Sequence, residues 1–437
     1  YPDGTVWGPT RWGHAVSEDL ISWERLPEAL MTDREYDIDG CFSGTALSLD
    51  DGRHMLMYTG WQKDPEDAKG RGLQLQCIAF GDGTSYEKYP GNPVIAEDML
   101  PEGGDPHEFR DPKIWQEKDG TFRAVIANHN ESRGAQILLY RSDNGLKWEF
   151  VKVLADTQMD LADAKGKPGW MWECPDFFHL EGKDILMTGT MGEVHTICRI
   201  GEYDRRTETF TEESWQSMEQ GFDFYAGQTV QAEDGRRILI GWMQNPQTAQ
   251  NRKIELPING QMSIPRELTL REGRILQKPV RELEDYRTDE IVHRDVRLGS
   301  EEVRLDGVRG RTIDMELSVR PENGKAYEMF RMRFAADGEQ YTEFSYDPAA
   351  SVATLDRSCS GPGRTELTLA KTETRARDGR LDVRIILDKL SAEIFINDGE
   401  QVMSAVIYTD RHAEDITFYV KGTAIMDIAK YRIKENK

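Results

Sequence analysis

Two carboxylic acids hold comparable places in this chain: Asp111 in Phe109-Arg110-Asp111-Pro112, and Glu173 in Trp172-Glu173-Cys174-Pro175-Asp176, 62 residues apart. Each precedes a short apolar stretch that ends in a glycine. Counting back nine residues from Gly52, Gly120, Gly182 and Gly235 gives Ser43, Asp111, Glu173 and Ala226, the last beside Tyr225. Two carboxyl groups delivered to one pocket suggest glycoside hydrolysis. With retention, an acid protonates the leaving oxygen while a carboxylate nucleophile attacks from the other side, about 5 Å away. Glu173 is the better acid candidate, because Trp170, Met171 and Trp172 beside it would desolvate the carboxyl and raise its pKa. Asp111 follows Arg110; if that guanidinium also approaches in space, it would keep Asp111 ionised and suited to holding hydroxyls. Ser43, in Phe42-Ser43-Gly44, reads either as a hydrogen-bonding wall of the pocket or as a plain strand residue. Strands rather than a helix follow it, so it is no nucleophile elbow.

The elements that would position these residues repeat. Trp23, Tyr86, Trp148 and Phe210 close successive units and are separated by 63, 62 and 62 residues. A repeat of this length, rich in strands and polar turns, marks a radial β-architecture whose innermost strands converge on an axial pocket. Each aromatic is expected to pack on the neighbouring blade. A fifth unit starts at Asp223-Phe224-Tyr225 and turns near Glu272-Gly273. From about residue 290 the pattern becomes strict alternation, as in Ile313-Asp314-Met315-Glu316-Leu317-Ser318-Val319, which marks half-buried strands. Asn397-Asp398-Gly399-Glu400 reads as a hairpin turn between two of them. The expected fold is all-β: a five-bladed β-propeller over 1–283 followed by a C-terminal antiparallel β-sandwich over 284–437.

Composition excludes other classes. The 437 residues carry a net charge of −23 with no basic run, which argues against nucleic acid and anionic membrane surfaces as partners. No apolar stretch approaches the roughly 20 residues of a membrane span. The eight histidines lack metal-ligand spacing, and no glycine-rich phosphate loop precedes a helix, so neither metal nor cofactor is expected. The five cysteines, odd in number, read as free thiols in a reducing, cytoplasmic setting.

Read together, the motifs resemble one family. Trp7-Gly8-Pro9, Trp12-Gly13-His14, Leu26-Pro27-Glu28, Phe42-Ser43-Gly44, Tyr58-Thr59-Gly60, Phe109-Arg110-Asp111-Pro112-Lys113, Trp172-Glu173-Cys174-Pro175-Asp176, Asp223-Phe224-Tyr225-Ala226, Gly241-Trp242-Met243 and Ile264-Pro265-Arg266-Glu267-Leu268 occur in this order. The chain resembles glycoside hydrolase family 32, the β-fructofuranosidases. The resemblance implies retaining hydrolysis of terminal β-D-fructofuranosyl bonds in sucrose, sucrose 6-phosphate or fructo-oligosaccharides. It implies Glu173 as general acid/base, Asp111 as transition-state stabiliser, Arg110 as its partner, and Trp7, Phe42, Ser43 and Trp242 as pocket lining.

One departure matters. The family's nucleophile is the Asp of a Trp-Met-Asn-Asp-Pro-Asn-Gly motif, which this sequence does not contain. Running the repeat backwards places that residue roughly 14 to 20 positions ahead of Tyr1, inside a first blade of which roughly 40 residues are expected upstream. The 437-residue chain is therefore expected not to turn over substrate by the two-step route. A second departure is Ile258 ahead of Asn259-Gly260, where many relatives carry Trp. The alternatives are a non-catalytic fructoside-binding propeller and, less well matched, a five-bladed glycosidase acting on arabinose polymers. Preference among sucrose, its 6-phosphate and fructans stays open, as does oligomeric state. His107 and Arg252 are candidate phosphate readers that read equally as surface residues.

Overall fold

Strand-forming alternation governs the chain from end to end, and the polar turns that interrupt it decide where each sheet reverses. A computed structural model describes residues 8–157, 170–191, 195–244, 260–361 and 367–434. The architecture is all-β, a five-bladed propeller followed by an antiparallel sandwich. Helix among the described residues is limited to three short 3-10 turns, Glu35–Asp37, Glu97–Met99 and Arg281–Tyr286.

Five small antiparallel sheets follow one another. The first has two strands, Trp12–Val16 and Glu24–Leu30. The other four have four strands each and begin with Gly40–Ser48, Gly104–Gln116, Trp172–Leu180 and Tyr225–Gln231. These first strands are the inner strands. Gly52, Gly120, Gly182 and Gly235 lie in the turns that follow them, with φ between +83° and +92°, a conformation that glycine adopts without steric cost. The count of nine used above assumes that the turns are alike, and one is not. Leu49, Glu117 and Ala232 each accept from the glycine three residues on and donate to the residue after it. In the fourth sheet Leu180 pairs directly with Lys183 across a two-residue Glu181-Gly182 turn. Cys174, not Glu173, therefore occupies the register of Asp111, and Glu173 that of Arg110.

Chain contacts form two compact units: Tyr1–Glu18, Ser22–Gln216 and Ala226–Thr229 in one, and Asp19–Ile21, Ser217–Tyr225 and Val230–Lys437 in the other. In the first unit the sheets pack face to face through apolar layers. Met57, Ile78, Phe109, Ile126 and Trp148 share one layer, and Val125, Leu139, Trp172, Phe177 and Leu186 share another. Trp148 is buried, Tyr86 packs on the layer of Leu30 and Tyr58, and Phe210 meets Phe177 edge to face at 5.8 Å. Trp23 departs from the expected packing, since nearly half its surface is exposed.

In the second unit the sandwich consists of a six-stranded and a five-stranded sheet. Their facing side chains, among them Met315, Leu317, Phe330, Phe334, Phe344 and Ile394, form its core. The hairpin turn expected at Asn397-Asp398-Gly399 is present, with positive φ at all three residues. The same unit holds a buried ion cluster. Arg266, wholly inaccessible, donates to Glu393 at 2.7 Å and lies 3.4 Å from Glu219, with its guanidinium over the Phe224 ring.

Candidate active site

The Phe109-Arg110-Asp111 segment lies where the inner strand breaks register with its partner, between Gly104 and Phe109 and again between Arg110 and Lys113. Side chains supply what the ladder omits there. Gln74 accepts from the Phe109 amide at 2.8 Å and donates to the His107 carbonyl. Gln76 donates to the Phe109 carbonyl at 2.8 Å, and Asn128 donates to the carbonyls of Asp105 and Glu108. The Asp111 amide donates to the Thr59 hydroxyl at 3.0 Å, and that hydroxyl donates to Gln76. Asp111 is thus held with φ +62°, a conformation an L-residue keeps only when its surroundings over-determine it.

The neighbouring inner strand shows the same break, between Glu173 and Asp176, and Cys174 there has φ +49°. The two kinked segments meet. The Cys174 amide donates to the Asp111 carboxylate at 2.8 Å, and Arg110 donates to Glu173 Oε1 through Nη2 at 2.8 Å and Nε at 3.1 Å. Arg110 also bonds Glu108. A second ion pair locks the strands below the site. Lys113 lies 3.0 Å from the fully buried Asp176, which accepts from the Thr229 amide, and Lys113 donates to the Thr229 carbonyl. Gln228 donates to the Cys174 carbonyl at 3.0 Å. Three successive inner strands are fixed to one another through these groups.

The structure brings Arg110, Asp111 and Glu173 together, but their electrostatics differ from the sequence expectation. The guanidinium bonds Glu173 rather than Asp111. Asp111 is 6 % exposed, and burial pushes its carboxyl up to about 6 against the pull of Arg110, with Glu173 adding to the rise. The tryptophans flanking Glu173 do not enclose it either. Trp172 is fully buried on another face with Arg199 over its ring, and Trp170 is about half exposed beside His129. Strand alternation sends neighbours of Glu173 away from its own side chain. Burial pushes the Cys174 thiol well up, so it is no thiolate nucleophile.

Phe42 and Ser43 lie on the inner strand Gly40–Ser48, which packs against Gly104–Gln116. Phe42 is half-buried and stacks on Trp61 at 5.4 Å, while Ser43 is exposed. Gly44 beside them cannot carry a side chain, because a Cβ would fall 1.9 Å from the Met57 carbonyl. Trp242 is half-buried at the end of Arg237–Trp242 in the second unit. Trp7, Arg252 and Ile258 lie outside the described residues. His107 is held between Asp64 at 3.0 Å and Asp105 at 3.1 Å, an acidic setting that disfavours phosphate. Thr59, Gln74, Lys113 and Asp176 escaped the sequence reading. Thr59, Lys113 and Asp176 do stand inside the quoted motifs, the last two lying two and three residues after the acids. Among the described residues no group of three or more His, Cys, Asp or Glu is arranged to hold a metal ion, and no helix is long and apolar enough to cross a membrane. All five cysteines are free.

The profile of the glycosyl hydrolases family 32 N-terminal domain matches residues 1–279, and that of the family 32 C terminal matches residues 282–435. The chain belongs to glycoside hydrolase family 32. Among its relatives, the sucrose-6-phosphate hydrolase of Bacillus subtilis (strain 168) is 32 % identical, over 98 % of this chain and 86 % of that protein. The raffinose invertase of Escherichia coli is 31 % identical, over 98 % of this chain and 87 % of its own length. The Bombyx mori GH32 beta-fructofuranosidase BmSUC1 is similar in structure, with a TM-score of 0.80 and 29 % identity, covering all of this chain and 87 % of that one. The sucrose-6-phosphate hydrolase from Lactobacillus gasseri shares the fold, with a TM-score of 0.84 at 23 % identity.

Proposed function

We propose that this family 32 glycosidase releases terminal β-D-fructofuranosyl residues from small fructose-ended sugars of the sucrose or sucrose 6-phosphate type, with retention. Glu173 is assigned as general acid/base, Asp111 as the carboxylate that holds sugar hydroxyls, and Arg110 as the group that orients Glu173. The observation that supports this most is the meeting of the two kinked inner strands. There Arg110 holds Glu173 and the Cys174 amide holds Asp111, leaving two carboxyl groups with unlike environments side by side. Phe42 and Ser43 are assigned to the sugar-binding wall, while for Trp7 and Trp242 the lining role rests on the family motifs alone.

The Arg110 guanidinium fixes where the Glu173 carboxyl points, and as the acid Glu173 would deliver its proton to the leaving oxygen once substrate has displaced solvent. Asp111, ionised at neutral pH at the expense of burial, regains stabilisation by accepting hydrogen bonds from the sugar hydroxyls. The two-step route also needs the nucleophilic Asp of the Asn-Asp-Pro-Asn-Gly motif, so turnover is read on protein that carries that motif. On the 437-residue chain the same sugars read binding. We place the propeller boundary at residue 283, and the free thiols fit a reducing compartment.

The test is Glu173→Gln assayed on sucrose and on an aryl β-fructofuranoside whose leaving group needs no proton. Loss on sucrose with much smaller loss of the first step on the aryl substrate supports the acid role. Equal losses on both remove Glu173 from it. Binding of fructose-ended sugars without release, in protein carrying the motif, would instead favour a binding propeller.

A further inference from the structure

In a chain of net charge −23, one cleft of the sandwich unit has the opposite sign. It has a volume of about 620 Å³ and is lined by Arg309, Arg311, Lys389, Arg411, Lys430 and Arg432. Glu414 is the one carboxylate in the lining, and Arg309 occupies it at 3.2 Å. His412 at the rim is bonded to Asp410.

Two of the cations are buried without a carboxylate in contact. Lys430 is 8 % exposed, and among the described residues it has neither a carboxylate within 4 Å nor a hydrogen-bond partner. Its ammonium is destabilised by burial and by Arg432, and is attracted only at longer range by Asp289 and Glu414. Arg311 is 4 % exposed and donates to neutral acceptors, the Lys389 carbonyl at 3.1 Å, the Thr409 hydroxyl at 2.8 Å and the Ala413 carbonyl. Asp388 and Asp410 act on it only from a distance, and burial still lowers it to about 10. Most of the Lys430 side chain is buried while its ammonium reaches the cleft without a counter-ion in contact, and a bound anion would supply one. Guanidinium groups and ammonium groups that line one cleft suit the three oxygens of a phosphoryl group. The volume falls within the range of small-molecule sites, and the protein's negative field opposes polyanions that extend past the cleft.

We propose that this cleft of the sandwich is a binding site for a phosphorylated small molecule of sugar-phosphate size. The site is independent of the carboxylate pair of the inner strands, so its failure would leave the proposed hydrolase reading untouched.

The experiment is calorimetric titration of the full chain at low salt with glucose 6-phosphate, inorganic phosphate and glucose. Saturable binding of both phosphates but not of glucose is expected, weakened about tenfold or more by either Lys430→Gln or Arg432→Gln and unchanged by Asp111→Asn. A thermal midpoint for each variant without ligand, close to that of the parent, shows that the loss is not unfolding. Tighter binding of glucose 6-phosphate than of inorganic phosphate identifies a sugar phosphate as the ligand; equal binding identifies the free anion. Binding that survives both substitutions, equal binding of glucose, no binding of either phosphate, or binding only of a long polyanion would each overturn the proposal.

Discussion

Replacing Asp111 by Asn should make the protein more stable at neutral pH, and most of the gain should be lost in mild acid. In the folded chain the Asp111 carboxyl is pushed from 3.8 to about 6, chiefly by burial. A group whose folded pKa is raised is fully compatible with the fold below its unfolded pKa and opposes the fold as pH rises through the folded value. A shift of about two units is worth about 3 kcal/mol once both states have ionised. At pH 4.5 the same linkage leaves a cost of about 1 kcal/mol, because the folded carboxyl is still protonated. Asn keeps an oxygen for the Cys174 amide, tolerates positive φ and carries no charge. Asp111→Asn should therefore gain about 3 kcal/mol at pH 7.5 and about 1 kcal/mol at pH 4.5. Urea unfolding of both proteins at the two pH values measures this, read through a probe in the unit that contains Asp111. A variant no more stable than the parent at pH 7.5, or a gain of equal size at pH 4.5, would refute the reasoning.

Three further outcomes follow from the same structure. In protein that carries the Asn-Asp-Pro-Asn-Gly motif, Glu173→Gln should lower sucrose turnover by about 10²- to 10⁴-fold with little change in sugar affinity, measured as fructose release and by titration. Affinity for a fructose-ended sugar should fall as pH drops through about 6, when Asp111 takes up a proton, and the Asp111→Asn variant should bind weakly with no such limb. Arg266→Met should cost about 3–5 kcal/mol at neutral pH, because it strands Glu219 and Glu393 in the second unit. Burial already holds the Glu219 carboxyl above its usual range, so mild acid should recover part of that loss, which urea midpoints at pH 5 and 7.5 would show.

What the sequence determined by itself was what depends on local pattern. Alternation and turn glycines specify an all-β chain, the period near 62 residues gives blade-like sheets, and the motifs around Asp111 and Glu173 mark both acids. The tertiary structure decided what depends on neighbours distant along the chain. A two-residue turn at Glu181-Gly182 shifts Glu173 by one position, so it meets Arg110 while Cys174 meets Asp111. Counting from a glycine cannot register that shift, because turn length is set by backbone pairing. Adjacency in sequence likewise suggested Arg110 as the partner of Asp111 and Trp172 as the cover of Glu173, whereas the register break turns the guanidinium to Glu173 and strand alternation sends Trp172 to another face. The basic cleft of the sandwich was equally hidden. Its cations come from separate strands and loops, and no run of charge along the chain announces what folding gathers into one place.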